Sequence, residues 1–147
     1  MTLLVTVRNA QDTDTEFAYV ARERSMRKYV EQTWGEWDEA NTKGQIAEDV
    51  LHGRLSILEV NHEPVGLMRI DVHATHVDID QLFLLPKFQR RGIGTGLLQG
   101  ILARAKDKNL PVRVWVLRVN PARTLYERMG FHVFEETQAS LHLQSAV

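Results

Sequence analysis

A basic, glycine-rich turn within residues 82–98 carries the residue types best suited to bind a phosphate group. An apolar stretch at residues 82–85 precedes Gln89, two arginines, and glycines at positions 92, 94 and 96. Glycine allows the backbone to approach a ligand closely, and the free N–H groups and dipole at a helix start attract anions. The segment therefore predicts a buried strand, a phosphate-binding turn and the first turn of a helix.

The spacing of these glycines does not match the common nucleotide-binding loops. A Walker loop requires Gly-x-x-x-x-Gly-Lys followed by Ser or Thr, and the sequence contains no such string. A dinucleotide-binding turn requires Gly-x-Gly-x-x-Gly, but Leu97 occupies the third glycine position after Gly92 and Gly94. Two interpretations remain: a phosphate-binding turn of another kind, or a structural turn that binds no ligand.

The elements that must position this turn follow from the periodicity of the apolar residues. The expected order is a strand, two helices, three strands, a helix, a strand, a short helix and two final strands. The pattern predicts strands at residues 3–8, 55–60, 65–72, 77–85, 112–119, 131–135 and 141–143, and helices at residues 13–35, 36–51, 93–109 and 121–128. This order predicts a single α/β (α+β) domain over residues 1–147, with a mixed central sheet of about seven strands and four helices.

Local signals predict where several of these elements begin and end. Thr13 and Glu16 have the spacing of a capping box at the start of the first helix, and Gly35 is expected to end that helix. The second helix is expected to be irregular near residues 41–44. Residues 61–64, Asn-His-Glu-Pro, predict a hairpin turn between the second and third strands.

The overall composition excludes several classes of function. The net charge is −1, so the chain lacks the global positive charge typical of nucleic-acid binding. Cysteine is absent, which excludes disulfides, thiolate metal ligands and a cysteine nucleophile. No apolar run approaches the length of a membrane span, and the N-terminus lacks the pattern of a signal peptide. We therefore expect a cytoplasmic protein without a nucleic-acid or membrane partner.

Two strings of residues resemble the motifs of the GNAT superfamily of N-acetyltransferases. Gln89, Gly92 and Gly94, which follow a strand ending in Leu-Leu-Pro, are similar to the acyl-CoA-binding motif Gln-x-x-Gly-x-Gly of that superfamily. Residues 120–131, with an asparagine, a short helix carrying Tyr126 and a Gly-Phe pair, resemble its second motif. The order of the motifs and the expected order of elements match the superfamily across nearly the whole chain.

The resemblance implies acetyl-CoA as the co-substrate and indicates which residues would bind it. The strand before the turn would carry a bulge and splay from the next parallel strand, so that its backbone pairs with the pantetheine arm. The backbone N–H groups of the turn would hold the pyrophosphate. The implied cofactor-binding residues are Leu82, Phe83 and Leu84 in the strand, Gln89, Arg90, Arg91, Gly92, Ile93, Gly94 and Thr95 in the turn, and Asn120 after a later strand.

Acetyl transfer to an amine also needs groups that move protons. An alkylamine has a pKa of about 10.4, so a base must take its proton, and the leaving thiolate needs a proton donor. The resemblance implies Tyr126 as the general acid to the thiolate, with a tyrosine that only packs as the alternative. Asp78 and Asp80 share a face of the strand before the turn. We expect Asp80 to act as the base, and solvated edge charges are the alternative.

The acceptor amine is expected to bind at the junction of the first two helices. Trp34, Trp37 and Asp38 lie around a glycine in an acidic, aromatic segment whose composition suits a cationic amine. Tryptophans that only pack at a helix junction are the alternative. The acceptor itself stays open between a small-molecule amine and a peptide or protein amine, and a homodimer is likewise left open.

Two histidines raise the question of a metal. His73 and His76 could be joined by Asp78 or Asp80 as ligands, but their spacing is not typical of a zinc motif. Because this acetyl transfer needs no metal, we expect surface histidines and no metal cofactor.

The leading prediction is an acetyl-CoA-dependent N-acetyltransferase that acts on a primary amine by direct attack in a ternary complex. A thiol acyl-enzyme route is excluded because the chain has no cysteine. The alternative is a non-catalytic acyl-CoA-binding or regulatory module, which would bind acetyl-CoA without turnover.

Overall fold

The computed structural model describes residues 4–146 and contains the predicted succession of elements. Seven strands form one sheet, and four α-helices accompany them within the described chain. The strands are β1 Val5–Asn9, β2 Ser56–Val60, β3 Glu63–Val72, β4 Val77–Leu84, β5 Val112–Leu117, β6 His132–Glu136 and β7 Ser140–Gln144, and the helices are α1 Thr15–Trp34, α2 Glu39–Leu51, α3 Ile93–Asp107 and α4 Arg123–Arg128. The predicted start of the first strand at Leu3 lies outside the described residues.

The sheet is mixed, as predicted, with the strand order β1-β2-β3-β4-β5-β7-β6. β4 and β5 run parallel, with residues 77–79 of β4 paired to 112–114 of β5. β2 is antiparallel to both β1 and β3, and β7 is antiparallel to both β5 and β6. The α/β fold with a mixed seven-stranded sheet is therefore confirmed.

The chain forms two compact units. The first contains Met1–Arg69 and Gln81–Ile93, and the second contains Ile70–Asp80 and Gly94–Val147. The single domain over residues 1–147 stays a prediction.

In the first unit, α1 and α2 cover an apolar core shared with β2 and β3. The helices contribute mainly alanine and branched aliphatic side chains at helical spacing, and β2 and β3 contribute Ile57 and Leu67. The buried members of this cluster are Ala10, Ala18, Tyr19, Ala21, Ile46, Val50, Leu55, Ile57 and Leu67. Trp37, Phe83 and Leu85 pack against the same cluster, so the core reaches the end of β4 that precedes the glycine-rich turn.

In the second unit, β5 and β7 bring apolar side chains into register. Val114 pairs with Leu143 and Val116 pairs with Leu141, and all four residues are buried. The Val112 N–H donates to the buried Ser145 hydroxyl at 2.8 Å, which fixes the start of β5 beside the end of β7. β5 is followed by α4, which lies within the second motif at residues 120–131.

Several predicted ends are confirmed at residues with a left-handed backbone. Gly35 ends α1 with a φ of 91°, and its N–H donates to the Glu31 carbonyl oxygen at 2.8 Å. The predicted hairpin turn contains Asn61 and His62, whose φ angles of 51° and 65° are typical of a tight two-residue turn. Glu63 belongs to β3 rather than to the turn.

The start of α1 differs from the prediction. The predicted capping box of Thr13 and Glu16 is wrong, because Asp14 is the residue that precedes the helix and Thr13 lies in a short 3-10 helix, Asp12–Asp14. The Asp14 carboxylate accepts from the Gln11 N–H at 2.8 Å and from the Arg8 guanidinium at 2.7 Å. The hydrogen bond from Arg8 holds the pKa of Asp14 below its usual range.

The second helix also begins later than predicted. α2 starts at Glu39 instead of residue 36, because the Asp38 carboxylate accepts from the Asn41 N–H at 2.9 Å and caps the helix. The expected irregularity near residues 41–44 is wrong, since these residues are regular helix.

The described chain contains no helix with the length and apolar character that a membrane span requires.

Candidate functional site

The glycine-rich turn lies between β4 and α3, as the sequence predicts. A one-turn 3-10 helix, Pro86–Phe88, leads from the strand into an extended Gln89, and α3 starts at Ile93. Arg90 and Gly92 have φ angles of 62° and 81°. Two left-handed residues so close together turn the chain sharply ahead of the helix. As in any α-helix, the first N–H groups of α3 have no partner inside the helix and can bind a ligand.

Positive charge and a buried anchor flank this turn. Phe88 is buried, and the Lys87 ammonium and the Arg91 guanidinium lie 5.0 Å and 5.6 Å from the centre of its ring. Arg90 is exposed. The turn is therefore held to the unit by one aromatic side chain and surrounded by cations that favour a phosphate group.

Gln89, a residue of the predicted signature, contacts the end of the preceding strand. Its side-chain Nε2 donates to the Leu84 carbonyl oxygen at 3.0 Å. The Ser25 hydroxyl of α1 donates to the same oxygen at 3.4 Å. These contacts give Gln89 a structural role in closing the turn onto β4.

The sequence analysis missed Gly66, which allows β3 to approach the end of β4. A Cβ at this position would overlap the Phe83 carbonyl oxygen and lie 3.1 Å from the Leu84 Cα. The Leu85 N–H donates to the Val65 carbonyl oxygen at 2.8 Å. A lone glycine inside a strand pattern is a known signal of close backbone approach, and it could have identified this contact.

Tyr126 lies on α4 in the second unit and is buried. Its ring packs edge-on against Phe131 with 5.3 Å between ring centres, and the Phe131 N–H donates to the Tyr126 carbonyl oxygen at 3.1 Å. Burial raises the pKa of Tyr126 to about 12. The phenol therefore keeps its proton at neutral pH and is chemically competent as a donor.

Asn120 follows β5 and shapes the approach to α4. Its side-chain Oδ1 accepts from the Ala122 N–H at 2.9 Å, an arrangement that fixes the turn between strand and helix. Asn120 therefore has a structural role after β5, and its implied contact with the cofactor stays a prediction.

The two aspartates of β4 have different surroundings. The Asp78 carboxylate lies 2.9 Å from His73 Nε2 and 3.2 Å from His76 Nε2. Asp80 is exposed, two residues further along the strand. The sequence left open whether Asp78 or Asp80 would join the two histidines, and the fold of the turn after β3 selects Asp78.

The residues expected to bind the acceptor have mixed environments. Trp37 is half-buried, and its indole Nε1–H donates to the Tyr19 hydroxyl at 2.9 Å. Asp38 caps α2. Trp34, at the end of α1, exposes 61% of its surface. Trp37 and Asp38 therefore have structural roles, and Trp34 is the aromatic residue of this segment presented to solvent.

The residues predicted to bind the cofactor belong to both units. Leu82, Phe83, Leu84, Gln89, Arg90, Arg91, Gly92 and Ile93 are part of the first unit, and Gly94, Thr95 and Asn120 are part of the second together with Tyr126.

Comparison with known proteins agrees with this fold. A family model described as an acetyltransferase (GNAT) domain matches residues 16–144. An uncharacterized N-acetyltransferase of Archaeoglobus fulgidus is 31% identical over 117 residues, which cover 69% of this chain and 80% of that protein. The chain therefore belongs to the GNAT family of acetyltransferases.

Solved structures of other acetyltransferases share the fold. The PaiA N-acetyltransferase of Thermoplasma acidophilum, in complex with coenzyme A, has a TM-score of 0.75 at 17% identity over 99% of this chain and 100% of its own. Naa50 of Arabidopsis thaliana, in complex with the bisubstrate analogue CoA-Ac-MVNAL, has a TM-score of 0.68 at 16% identity, covering 97% of this chain and 99% of its own.

Family membership confirms the predicted enzyme class, an acyltransferase, and acetyl-CoA as its co-substrate.

Proposed function

We propose that the protein is a cytoplasmic N-acetyltransferase that transfers the acetyl group of acetyl-CoA to a primary amine by direct attack in a ternary complex. The observation that carries this proposal is the turn ahead of α3, where Arg90 and Gly92 have left-handed backbones and a helix N-terminus follows. Such a turn presents backbone N–H groups to an anion, and the pyrophosphate of acetyl-CoA is an anion of suitable size.

The donor is held, in this proposal, mainly by backbone groups. The N–H groups of residues 90–95 bind the pyrophosphate, and the positive charges of Arg90 and Arg91 strengthen that binding. The backbone of residues 82–84 pairs with the pantetheine arm. β4 pairs with β5 through residues 77–79, ahead of residues 82–84, and this supports a pairing role for the later residues of the strand.

Tyr126 supplies the proton, or a close hydrogen bond, to the departing CoA thiolate. The hydroxyl is protonated at neutral pH, as a donor must be when the tetrahedral intermediate collapses.

Asp80 is the proposed base that takes the proton of the attacking amine, directly or through water. Asp78 interacts with two imidazoles. Asp80 is exposed, which gives its carboxylate access to solvent. The chain offers no cysteine for an acyl-enzyme intermediate, which supports direct attack.

The acceptor is proposed to be a primary amine that binds near the junction of α1 and α2. The exposed Trp34 offers a ring face to a cationic amine, and Trp37 and Asp38 shape the junction beside it. The peptide-like analogue bound to Naa50 is compatible with a peptide amine, and the acidic segment around Trp37 favours a small cationic one.

Two-substrate kinetics test the proposal. Initial rates measured while both acetyl-CoA and the amine are varied should give intersecting double-reciprocal lines, as direct attack in a ternary complex requires. Parallel lines would indicate an acyl-enzyme intermediate and contradict the mechanism.

The role of Tyr126 can be tested in the same assay. Tyr126→Phe should lower kcat by about a hundredfold while leaving the affinity for acetyl-CoA nearly unchanged. Tyr29→Phe, which removes a half-buried hydroxyl from α1, serves as the matched control and should keep the parent rate. An unchanged kcat in Tyr126→Phe would remove this residue from the mechanism.

A further inference from the structure

Three potential metal ligands meet at the turn between β3 and β4. The turn spans residues 73–76, and His73, His76 and Asp78 each place one donor atom within 4.8 Å of the other two. All three residues belong to the second unit. None of them has a role in the acetyl transfer proposed above, so their convergence needs a separate explanation.

The distances within this cluster are close to those of a coordinated ion. His73 Nε2 lies 2.9 Å from Asp78 Oδ2, and His76 Nε2 lies 3.2 Å from the same oxygen. Tetrahedral zinc with metal–ligand bonds of about 2.0–2.1 Å holds its donor atoms about 3.3 Å apart. The three donor atoms all lie within 4.8 Å of one another, so an ion could enter once the imidazoles and the carboxylate adjust to this spacing.

A neighbouring hydroxyl can orient one of the imidazoles. His76 Nδ1 lies 2.8 Å from the Thr75 hydroxyl oxygen. When Nδ1 carries the proton and donates to this oxygen, the lone pair of Nε2 is directed to the Asp78 side. Histidines that bind metals commonly donate their other ring N–H to such a partner, which fixes the tautomer and the ring orientation.

The backbone holds the ligands in place without a metal. The His73 N–H donates to the His76 carbonyl oxygen at 2.9 Å, and the two rings stack with 4.6 Å between their centres. The Val77 N–H donates to the Pro111 carbonyl oxygen at 2.9 Å, which anchors the start of β4. A turn that is already closed loses little conformational freedom when an ion binds.

The arginine in register with Asp78 contacts other partners. Arg113 of β5 is the register partner of Asp78, but its Nε donates to Gln144 Oε1 at 2.8 Å and its guanidinium lies 5.0 Å from the centre of the Phe134 ring. The partners of the Asp78 carboxylate in this cluster are therefore the imidazoles of His73 and His76.

We propose that His73, His76 and Asp78 form a binding site for a divalent transition-metal ion, with zinc as the representative. Two imidazoles and one carboxylate are ligands that favour zinc and its neighbours over magnesium or calcium, which prefer an all-oxygen shell. The side chains of His73, His76 and Asp78 are 48%, 18% and 34% exposed, so water can complete the coordination. The bound ion would join the end of β3 to the start of β4.

Calorimetric titration of zinc chloride into the untagged full chain tests this site. The parent protein should bind a single zinc ion, and its Tm should rise with zinc concentration. His73→Ala, His76→Ala and Asp78→Asn should each weaken zinc binding by more than about tenfold. Magnesium should not compete. Circular dichroism of the metal-free variants should match the parent, since the turn is at the surface.

A matched control is available at α2. His52 Nε2 lies 3.1 Å from Glu48 Oε2, which gives an exposed histidine–carboxylate pair without a second histidine in the contact. His52→Ala should leave zinc affinity unchanged. The proposal is overturned if the parent protein shows no zinc binding, if the three ligand variants bind zinc as the parent does, or if His52→Ala loses as much affinity as they do.

Discussion

Burial raises the pKa of the Tyr126 hydroxyl, and this shift makes the stability of the protein depend on pH. The pKa of Tyr126 is raised to about 12 in the folded protein, whereas an unfolded tyrosine has a pKa of about 10. As the pH rises above 10, the unfolded chain releases the proton first. The stabilising contribution is therefore complete below pH 10 and is lost between about pH 10 and pH 12.

The corresponding prediction compares Tyr126→Phe with the parent protein. Between about pH 9 and pH 11 the parent should lose about 1.4 kcal/mol more unfolding free energy than the variant, which has no proton to release at this site. Urea unfolding at the two pH values measures the difference. An identical loss in both proteins would show that Tyr126 ionises as easily in the folded state as in the unfolded one.

Substitutions at Gly92 and Gly53 distinguish the effect of backbone strain on stability from the effect of a side chain on acetyl-CoA binding. Gly92 and Gly53 have φ angles of 81° and 66°, and a Cβ at either position would have no neighbour within 4 Å. Gly92→Ala and Gly53→Ala should therefore destabilise the protein by similar amounts, roughly 1–2 kcal/mol each. Only Gly92→Ala should lose affinity for acetyl-CoA, because its methyl group enters the space assigned to the pyrophosphate.

Calorimetry with acetyl-CoA, together with urea unfolding of both variants, checks this pair. Equal acetyl-CoA affinity in Gly92→Ala and Gly53→Ala would argue against the phosphate-binding role of the turn.

At the scale of elements, the approach of β3 to β4 depends on one missing side chain. A methyl group at Gly66 would overlap the Phe83 carbonyl oxygen, and backbone on both sides would have to move. Gly66→Ala should cost about 2 kcal/mol or more, comparable to an overpacked core. Gly100→Ala, in the middle of α3 with no neighbour near its Cβ, should instead stabilise by about 0.5–1 kcal/mol.

Equilibrium unfolding in urea distinguishes these two glycines. If Gly66→Ala were as stable as the parent protein, the close approach of the two strands would not be a constraint on this fold.

The junction of α1 and α2 contains two tryptophans with different roles. Trp37 packs against the apolar core and donates to Tyr19, so Trp37→Ala should destabilise by about 3 kcal/mol. Trp34 is 61% exposed, so Trp34→Ala should change stability by less than about 0.5 kcal/mol. If the acceptor binds here, Trp34→Ala should raise the KM for the amine while leaving the KM for acetyl-CoA unchanged.

Urea unfolding of the two tryptophan variants measures the changes in stability, and steady-state kinetics of Trp34→Ala measures the KM for the amine and for acetyl-CoA. An unchanged KM for the amine in Trp34→Ala would place the acceptor elsewhere.

For the whole molecule, the order of elements was predictable because the apolar period changes from helix to strand at each boundary. Gly35 ends α1 as expected, since the left-handed residue is local to the helix end. The start of α1 was not predictable from spacing alone. Asp14 interacts with Arg8 of β1, and this partner comes from another element.

In the candidate site too, features set by consecutive residues were predictable, and contacts between distant residues were harder to predict. The turn from Gln89 to Gly94 was predictable because its glycines and its position after a strand are properties of consecutive residues. The contact of Gln89 with Leu84, the identity of Phe83 as the neighbour of Gly66 and the choice of Asp78 over Asp80 as the partner of His73 were not, because each depends on the folded path of the chain. The identity of the acceptor amine could not be predicted from the sequence, because its binding site also depends on the folded path of the chain.

The central claim is that this chain transfers an acetyl group from acetyl-CoA to an amine, and release of CoA in the presence of a panel of amines tests it most directly. The panel should contain small cationic amines, amino acids and short peptides with free N-termini. We predict that at least one amine accelerates CoA release and gains one acetyl group for each CoA released. Tight binding of acetyl-CoA without amine-dependent release for any member of the panel would contradict the claim and favour a non-catalytic acyl-CoA-binding module.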